Sequence, residues 1–182
     1  SLVGSEMCIR DRFRYSVQAK YSKTVFDWTD LERVMNIHEY QGKELLRANG
    51  APVLDGVHCK TVEEALDAYD LLNSKVVAVK SQIHAGGRGK GTLYNPKTRD
   101  HVMDGGVKIA FSRDEVKSYS ENILGNILVT IQTGDEGKLV SNLYIESGCD
   151  IEHEFYLALL VDRENKAVMI MASTEGGVNI ED

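Results

Sequence analysis

The chain has 182 residues, enough for one domain or two small lobes, and its 42% apolar content can support a packed core. A formal net charge of -7 argues against a general nucleic-acid binder, and no apolar run approaches the ~18–20 residues that span a bilayer. Cys8, Cys59 and Cys149 are far apart and make no C-x-x-C pair, so neither a disulfide framework nor a zinc site is suggested, and a reducing cytoplasm or organelle matrix suits the chain.

Residues 1–34 mix Arg10, Arg12 and Arg14 with Glu6, Asp11, Asp27, Asp30 and Glu32 and sustain no period. They lack the continuous apolar core of a secretory signal, and their acids fit poorly with a mitochondrial transit peptide. We expect a non-native or disordered leader, with the domain proper covering 35–182 and Met35 as the true start. A helix is predicted from Asn36 to Ala48, with Asn36 as cap, Glu39 three residues on, an apolar side of Tyr40, Leu45 and Leu46, and Gly50 as its stop. Pro52 to Cys59 reads as an extended strand. Thr61 caps a second helix, Val62 to Leu72, in which Ala65, Leu66, Ala68, Tyr69 and Leu72 recur at helical spacing.

Val76 to Ser81 is a short β-branched run that suits a buried strand, and it delivers Lys80 to its end. Gly86, Gly87, Arg88, Gly89, Lys90 and Gly91 follow. Glycine lets a backbone approach a ligand closely, while arginine and lysine supply charge for phosphate oxygens. A strand, a lysine and a basic glycine loop make a sensible grip for a nucleoside triphosphate; a surface hairpin rich in glycine is the plain alternative. Two phosphate fingerprints fail: Lys90 is followed by Gly91 rather than Ser or Thr, and Gly87-x-Gly89 leads to Thr92 rather than a third glycine.

Asn95-Pro96-Lys97-Thr98 and Gly105-Gly106 are predicted turns, and Val107 to Phe111 a strand. Ser112 caps a third helix, Asp114 to Leu124, stopped by Gly125. Strands are predicted over Ile127 to Gln132 and Leu139 to Ser147, with a polar turn from Gly134 to Lys138 between them. Glu154 to Val161 and Ala167 to Ala172 read as an antiparallel hairpin, and Thr174 to Gly177 as a loop. The order implies an α/β or α+β fold in two lobes, and the ending at Asp182 suggests truncation at the C-terminus.

M-N-I-H-E-Y-Q-G-K-E-L-L from Met35, V-K-S-Q-I-H-A-G-G-R-G-K-G from Val79 and M-A-S-T-E-G-G-V-N-I-E from Met171 together resemble the β subunits of succinyl-CoA ligases. The resemblance runs from Met35 to Asp182 in one register, with an insertion-like stretch from Leu93 to Asp104. It implies the N-terminal part of an ATP-grasp nucleotide fold. The implied reaction, in the tricarboxylic acid cycle, interconverts succinate plus CoA with succinyl-CoA at the expense or gain of ATP or GTP. It passes through succinyl phosphate and a phosphohistidine on a partner α subunit, so no catalytic residue is expected on this chain and His84 is not the phosphate carrier.

The same resemblance implies nucleotide-binding roles for Lys80, Gly87, Arg88 and Gly89 at the phosphates. It places Glu146 at the purine, Cys149 at a backbone contact, and Glu154 at the ribose hydroxyls. Magnesium is expected with the nucleotide, its ligands lying beyond Asp182, and CoA and succinate are expected to be met with the α subunit. A cytoplasmic location, or a mitochondrial matrix in a eukaryote, goes with it. The fragment alone is expected to be inactive. A related acyl-CoA ligase such as malate–CoA ligase, or a non-catalytic binding fragment, would share these features.

Overall fold

The computed structural model describes residues 37–176. The expected leader over 1–34, Met35 as the start, Asn36 as a cap and Gly177 in the last loop lie outside them. The first helix, α1, runs Glu39–Ala48. Glu39 is therefore its first residue; His38 precedes it and donates its backbone N–H to Gln41 Oε1 at 2.9 Å. The other two helices follow the predicted caps. In α2 (Val62–Leu72) the Thr61 hydroxyl accepts the Glu64 N–H at 3.1 Å, and in α3 (Arg113–Ile123) the Ser112 hydroxyl accepts the Glu115 N–H at 3.2 Å.

β1 (Gly56–Cys59), β2 (Val77–Ser81), β5 (Val107–Ala110) and β8 (Leu143–Ser147) form one sheet in the order β1-β8-β2-β5, antiparallel throughout. Antiparallel pairing in every sheet, with helices gathered on one of them, makes the fold α+β rather than a parallel α/β sheet. Alternation along the strands separates the two faces of this sheet. Val77, Val79, Leu143, Ile145 and Cys59 point to the side covered by α2 and α3, where Ala65, Ala68, Val116 and Ile123 complete the buried core. The opposite face carries Lys80, Tyr144, Glu146 and His58, set by the cross-strand pairs Lys80↔Tyr144, Ala78↔Glu146 and His58↔Tyr144.

The second sheet, in the order β4-β3-β6-β7, joins β3 (Thr92–Tyr94), β4 (His101–Asp104), β6 (Ile127–Val129) and β7 (Lys138–Leu139). The Leu93 to Asp104 stretch is thus the β3–β4 hairpin, turned by Asn95, whose Oδ1 accepts the Lys97 and Thr98 N–H groups at 2.9 and 3.2 Å. Three predicted strands are shorter than expected. β1 begins only at Gly56 rather than at Pro52. β6 stops at Val129 because the Thr133 hydroxyl accepts the Thr130 N–H at 2.8 Å and closes a turn. The run from Leu139 to Ser147 divides because Val140 bonds to Gly125 and Asn126, both at 2.9 Å, as the chain crosses between sheets.

β9 (Tyr156–Asp162) and β10 (Ala167–Ser173) pair as a separate two-stranded ribbon. Its loop is closed by Asp162, whose Oδ1 accepts the Glu164 and Asn165 N–H groups at 3.0 and 3.1 Å. Among the described residues this ribbon joins no other strand, and Leu157, Leu159, Val161, Val168 and Ile170 stand exposed on it.

Candidate functional site

The polar face of the first sheet brings Lys80 and Glu146 together. Both are deeply buried, and Lys80 Nζ lies 2.6 Å from Glu146 Oε2. The first turn of α1 caps this pair. Glu39 Oε1 accepts from Lys80 Nζ at 2.9 Å and lies 3.2 Å from Lys43 Nζ, while Lys43 also donates to Glu146 Oε1. Residues 39 and 43 are one helical turn apart, so both side chains reach the same place. Arg88 comes from the glycine loop: its guanidinium donates to Glu39 Oε2 at 2.8 Å and to the Ser81 carbonyl at 2.6 Å. Gln82 completes the ring, with Nε2 3.3 Å from Glu39 Oε2 and Oε1 accepting the Tyr40 N–H at 3.3 Å.

Electrostatics here decide protonation against burial. Burial alone would raise the Glu39 carboxyl, but Lys80, Arg88 and Lys43 overcome it and hold the group well below the usual carboxylate range. Burial would likewise lower Lys80; Glu39 and Glu146 outweigh it and keep the ammonium charged, its pKa above the ordinary lysine value. Glu39 and Lys80 are therefore both held in their charged forms at neutral pH.

The loop is tied down rather than splayed into solvent. Gly87 takes φ +73, a left-handed conformation that glycine adopts without strain, and leads into a single 3-10 turn, Arg88–Lys90. The Gly106 N–H donates to the Arg88 carbonyl at 2.8 Å and the Gly105 N–H to the Gly91 carbonyl at 2.7 Å. A Cβ at Gly91 would meet the Val129 carbonyl oxygen at 2.6 Å, so the loop and β6 touch backbone to backbone there. Gly86 donates its N–H to Gln132 Oε1 at 2.8 Å.

Beside the cluster lies a row of stacked rings. His84 stacks on His38 with centroids 3.9 Å apart, and Tyr40 stacks on His58 at 4.0 Å. Burial, then the neighbouring His84, His58 and Arg88, push the His38 pKa down to about 4. His84 is lowered too, by burial and then by Lys138. Neither imidazole is charged at neutral pH.

Of the residues expected at a nucleotide, the structure joins Lys80, Arg88 and Glu146 in one network through Glu39 and sets Gly87 and Gly89 in the adjoining turn. Cys149 is exposed in the segment after β8. Glu154 is half-buried two residues before β9 rather than opening the strand, and its carbonyl accepts the Gly176 N–H at 3.2 Å. Neither belongs to the ion cluster. Sequence reasoning missed Glu39, Lys43 and Gln82. The sequence reads Glu39 only as part of a helix cap; the signal for its place in the cluster is a Glu and a Lys at i,i+4, on the same helical face, in an otherwise weakly apolar helix.

Among the described residues no group of three or more His, Cys, Asp or Glu is arranged to hold a metal. The two carboxylates of the cluster are taken up by ammonium and guanidinium groups, so these residues do not fit a magnesium ion. No helix among them is long and apolar enough to cross a membrane.

Residues 36–182 match the family model of the ATP-grasp domain. The chain is 55% identical over 148 residues to the succinate–CoA ligase (ADP-forming) subunit beta of Ralstonia nicotianae, covering 81% of this chain and 35% of that protein. The same figures for the subunit of that name from Nitrobacter hamburgensis are 55%, 81% and 36%. That from Exiguobacterium sibiricum is 49% identical, with 81% and 35% covered. The chain thus spans about a third of the length of the curated relatives it matches. Among solved structures, one titled Ca. Korarchaeum cryptofilum ACD1 in complex with coenzyme A gives a TM-score of 0.47 at 20% identity, over 75% of this chain and 53% of that one. A likeness of that size decides nothing about the site.

Proposed function

The chain belongs to the ATP-grasp family, and from that premise we propose that it is the nucleotide-gripping part of a succinate–CoA ligase β subunit. The activity in this reading is the interconversion of succinate, CoA and ATP or GTP with succinyl-CoA, the nucleoside diphosphate and phosphate. An α-type partner supplies the phosphohistidine and most of the CoA contact. The observation that carries the reading is a buried lysine at a strand end, charged and 2.9 Å from a carboxylate that also holds the arginine of the adjoining glycine turn.

Phosphoryl transfer asks the protein mainly for positioning and charge neutralisation. Lys80 serves as a compact point charge on the phosphate oxygens. Arg88 offers its planar fork to two oxygens at once, and backbone N–H groups around Gly87 and Gly89 approach where no side chain intervenes. Glu146, the Cys149 backbone and Glu154 secure the nucleoside end, Glu154 accepting from the ribose hydroxyls. Magnesium would arrive with the phosphates, and it is assigned no ligand among the described residues.

The test is nucleotide binding by calorimetry on the complete protein with its α-type partner, together with CoA-dependent turnover. Lys80→Met is expected to weaken both ATP and ADP by at least about tenfold, since a charge-assisted phosphate contact is worth roughly 1.5–3 kcal/mol. Unchanged affinities for both nucleotides would reject the phosphate role of Lys80.

A further inference from the structure

Helix α1 is attached to the body chiefly by polar groups and stacked rings. Gly42 is its only buried residue, no residue of α1 enters the hydrophobic core, and Leu45 is 58% exposed. What docks its first turn is the ion network, with Glu39 and Lys43 on one side and Lys80, Arg88 and Glu146 on the other, reinforced by the His38–His84 and Tyr40–His58 stacks. Glu39 presents one carboxylate oxygen to Lys80 and the other to Arg88, and its side chain is 6% exposed.

A carboxylate bridging an ammonium and a guanidinium has the charge and the acceptor geometry of two phosphate oxygens. We propose that Glu39 is a built-in anionic stand-in at the phosphate subsite. Nucleotide phosphates compete with it for Lys80 and Arg88, and the first turn of α1 loosens when they succeed. The inference rests on the nucleotide reading above and adds to it a residue that sets affinity from outside the contact set. The polar docking of α1 makes the exchange feasible. Withdrawing an apolar helix would expose core surface, whereas withdrawing this turn trades one set of anion–cation contacts for another. Lys43 stays on Glu146 during the exchange, so the second carboxylate is not left bare.

Glu39→Gln tests it, since the amide keeps the shape and the acceptor oxygen but gives up the charge. In the complete protein with its partner, the variant is expected to bind ATP and ADP about tenfold more tightly, the equivalent of one modest ionic contact no longer competed for. Adenosine, which carries no phosphate, is expected to bind the variant and the parent alike. A residue that merely scaffolds Lys80 and Arg88 would behave in the opposite way, its loss weakening ATP as Lys80→Met does.

Equal or weaker ATP binding by a folded Glu39→Gln protein overturns the inference. Should the variant fail to fold, amide hydrogen exchange on the unaltered protein decides the matter. Adding ATP is expected to speed exchange in Glu39–Ala48, and adenosine is not; α1 amides that slow or do not change with ATP overturn it. A parent protein that binds neither ATP nor ADP would bring down the nucleotide reading itself, with this inference. A parent that binds both, beside a variant that binds no tighter, brings down the inference alone.

Discussion

Lys80→Met should cost stability as well as ligand affinity, and the size follows from what the ammonium leaves behind. Its Nζ sits between Glu39 Oε1 at 2.9 Å and Glu146 Oε2 at 2.6 Å, with all three side chains at most 6% exposed. Removing one partner of a buried pair costs about 3–5 kcal/mol when the remaining charge is stranded. Here it is not wholly stranded: Glu39 keeps Arg88 at 2.8 Å and Lys43 at 3.2 Å, and Glu146 keeps Lys43. Methionine also retains most of the apolar stem. The expected loss is therefore about 2–4 kcal/mol, read as a lower urea midpoint at unchanged slope. Lys80→Met combined with Glu146→Gln supplies the decisive comparison. Neutralising the carboxylate as well removes the desolvated charge, so the double variant should cost about 1–3 kcal/mol less than the sum of the singles. A single-variant cost below about 0.5 kcal/mol, the range of an exposed pair, together with strict additivity, would refute the picture of a buried, coupled cluster.

Acid should destabilise the protein in a window set by His38. Its folded pKa of about 4 lies below the unfolded 6.5, so the unfolded chain binds the proton more readily. Stability is then full above pH 6.5 and lost as pH falls from 6.5 towards 4, by roughly 1–3 kcal/mol after allowance for the partial exposure of the ring. The gap between urea midpoints at pH 7 and pH 5 should narrow in His38→Gln, with His84, also lowered, keeping part of it, and an undiminished gap in that variant would assign the effect elsewhere. Glu39, held low, adds a loss that begins as pH falls through the ordinary carboxylate value and continues towards its depressed folded value. Gly91→Ala should lower stability by about 1–3 kcal/mol, because the new methyl meets the Val129 carbonyl and backbone has to move; a thermal melt matching the parent would contradict the close approach. Cys149 should alkylate rapidly, while Cys59, fully buried and with its thiol pushed up to about 12 by burial and then by Glu64 and Asp67, should react only on unfolding. Peptide mass mapping after brief iodoacetamide treatment checks the order, and early labelling at Cys59 would be inconsistent with the core.

Local chemistry accounts for what could be read directly from the chain. Thr61 and Ser112 each stand three residues before a glutamate and open a helix as expected, since a cap depends only on neighbours in sequence. The β-branched run before Lys80 is a strand for the same kind of reason. The motifs from Met35, Val79 and Met171 imply an ATP-grasp fold, and the ATP-grasp match runs over 36–182. Misjudged strand ends, at Thr130 and Val140, lie where the chain's hydrogen bonds go to a turn or to another sheet, which no local pattern encodes.

Sequence alone thus determined where three helices and most strands lie and offered the phosphate-binding candidates, because caps, alternation and motifs act over a few residues. Only the tertiary structure decided that Lys80, Arg88 and Glu146 meet through Glu39, a residue 41 positions from Lys80 in the chain. That meeting needs an antiparallel register that sets Glu146 beside Lys80 on one sheet face, and a helix whose first turn descends on that face. Ion pairing in a buried place is a property of three-dimensional neighbours and of the water they exclude, and spacing along a chain carries neither.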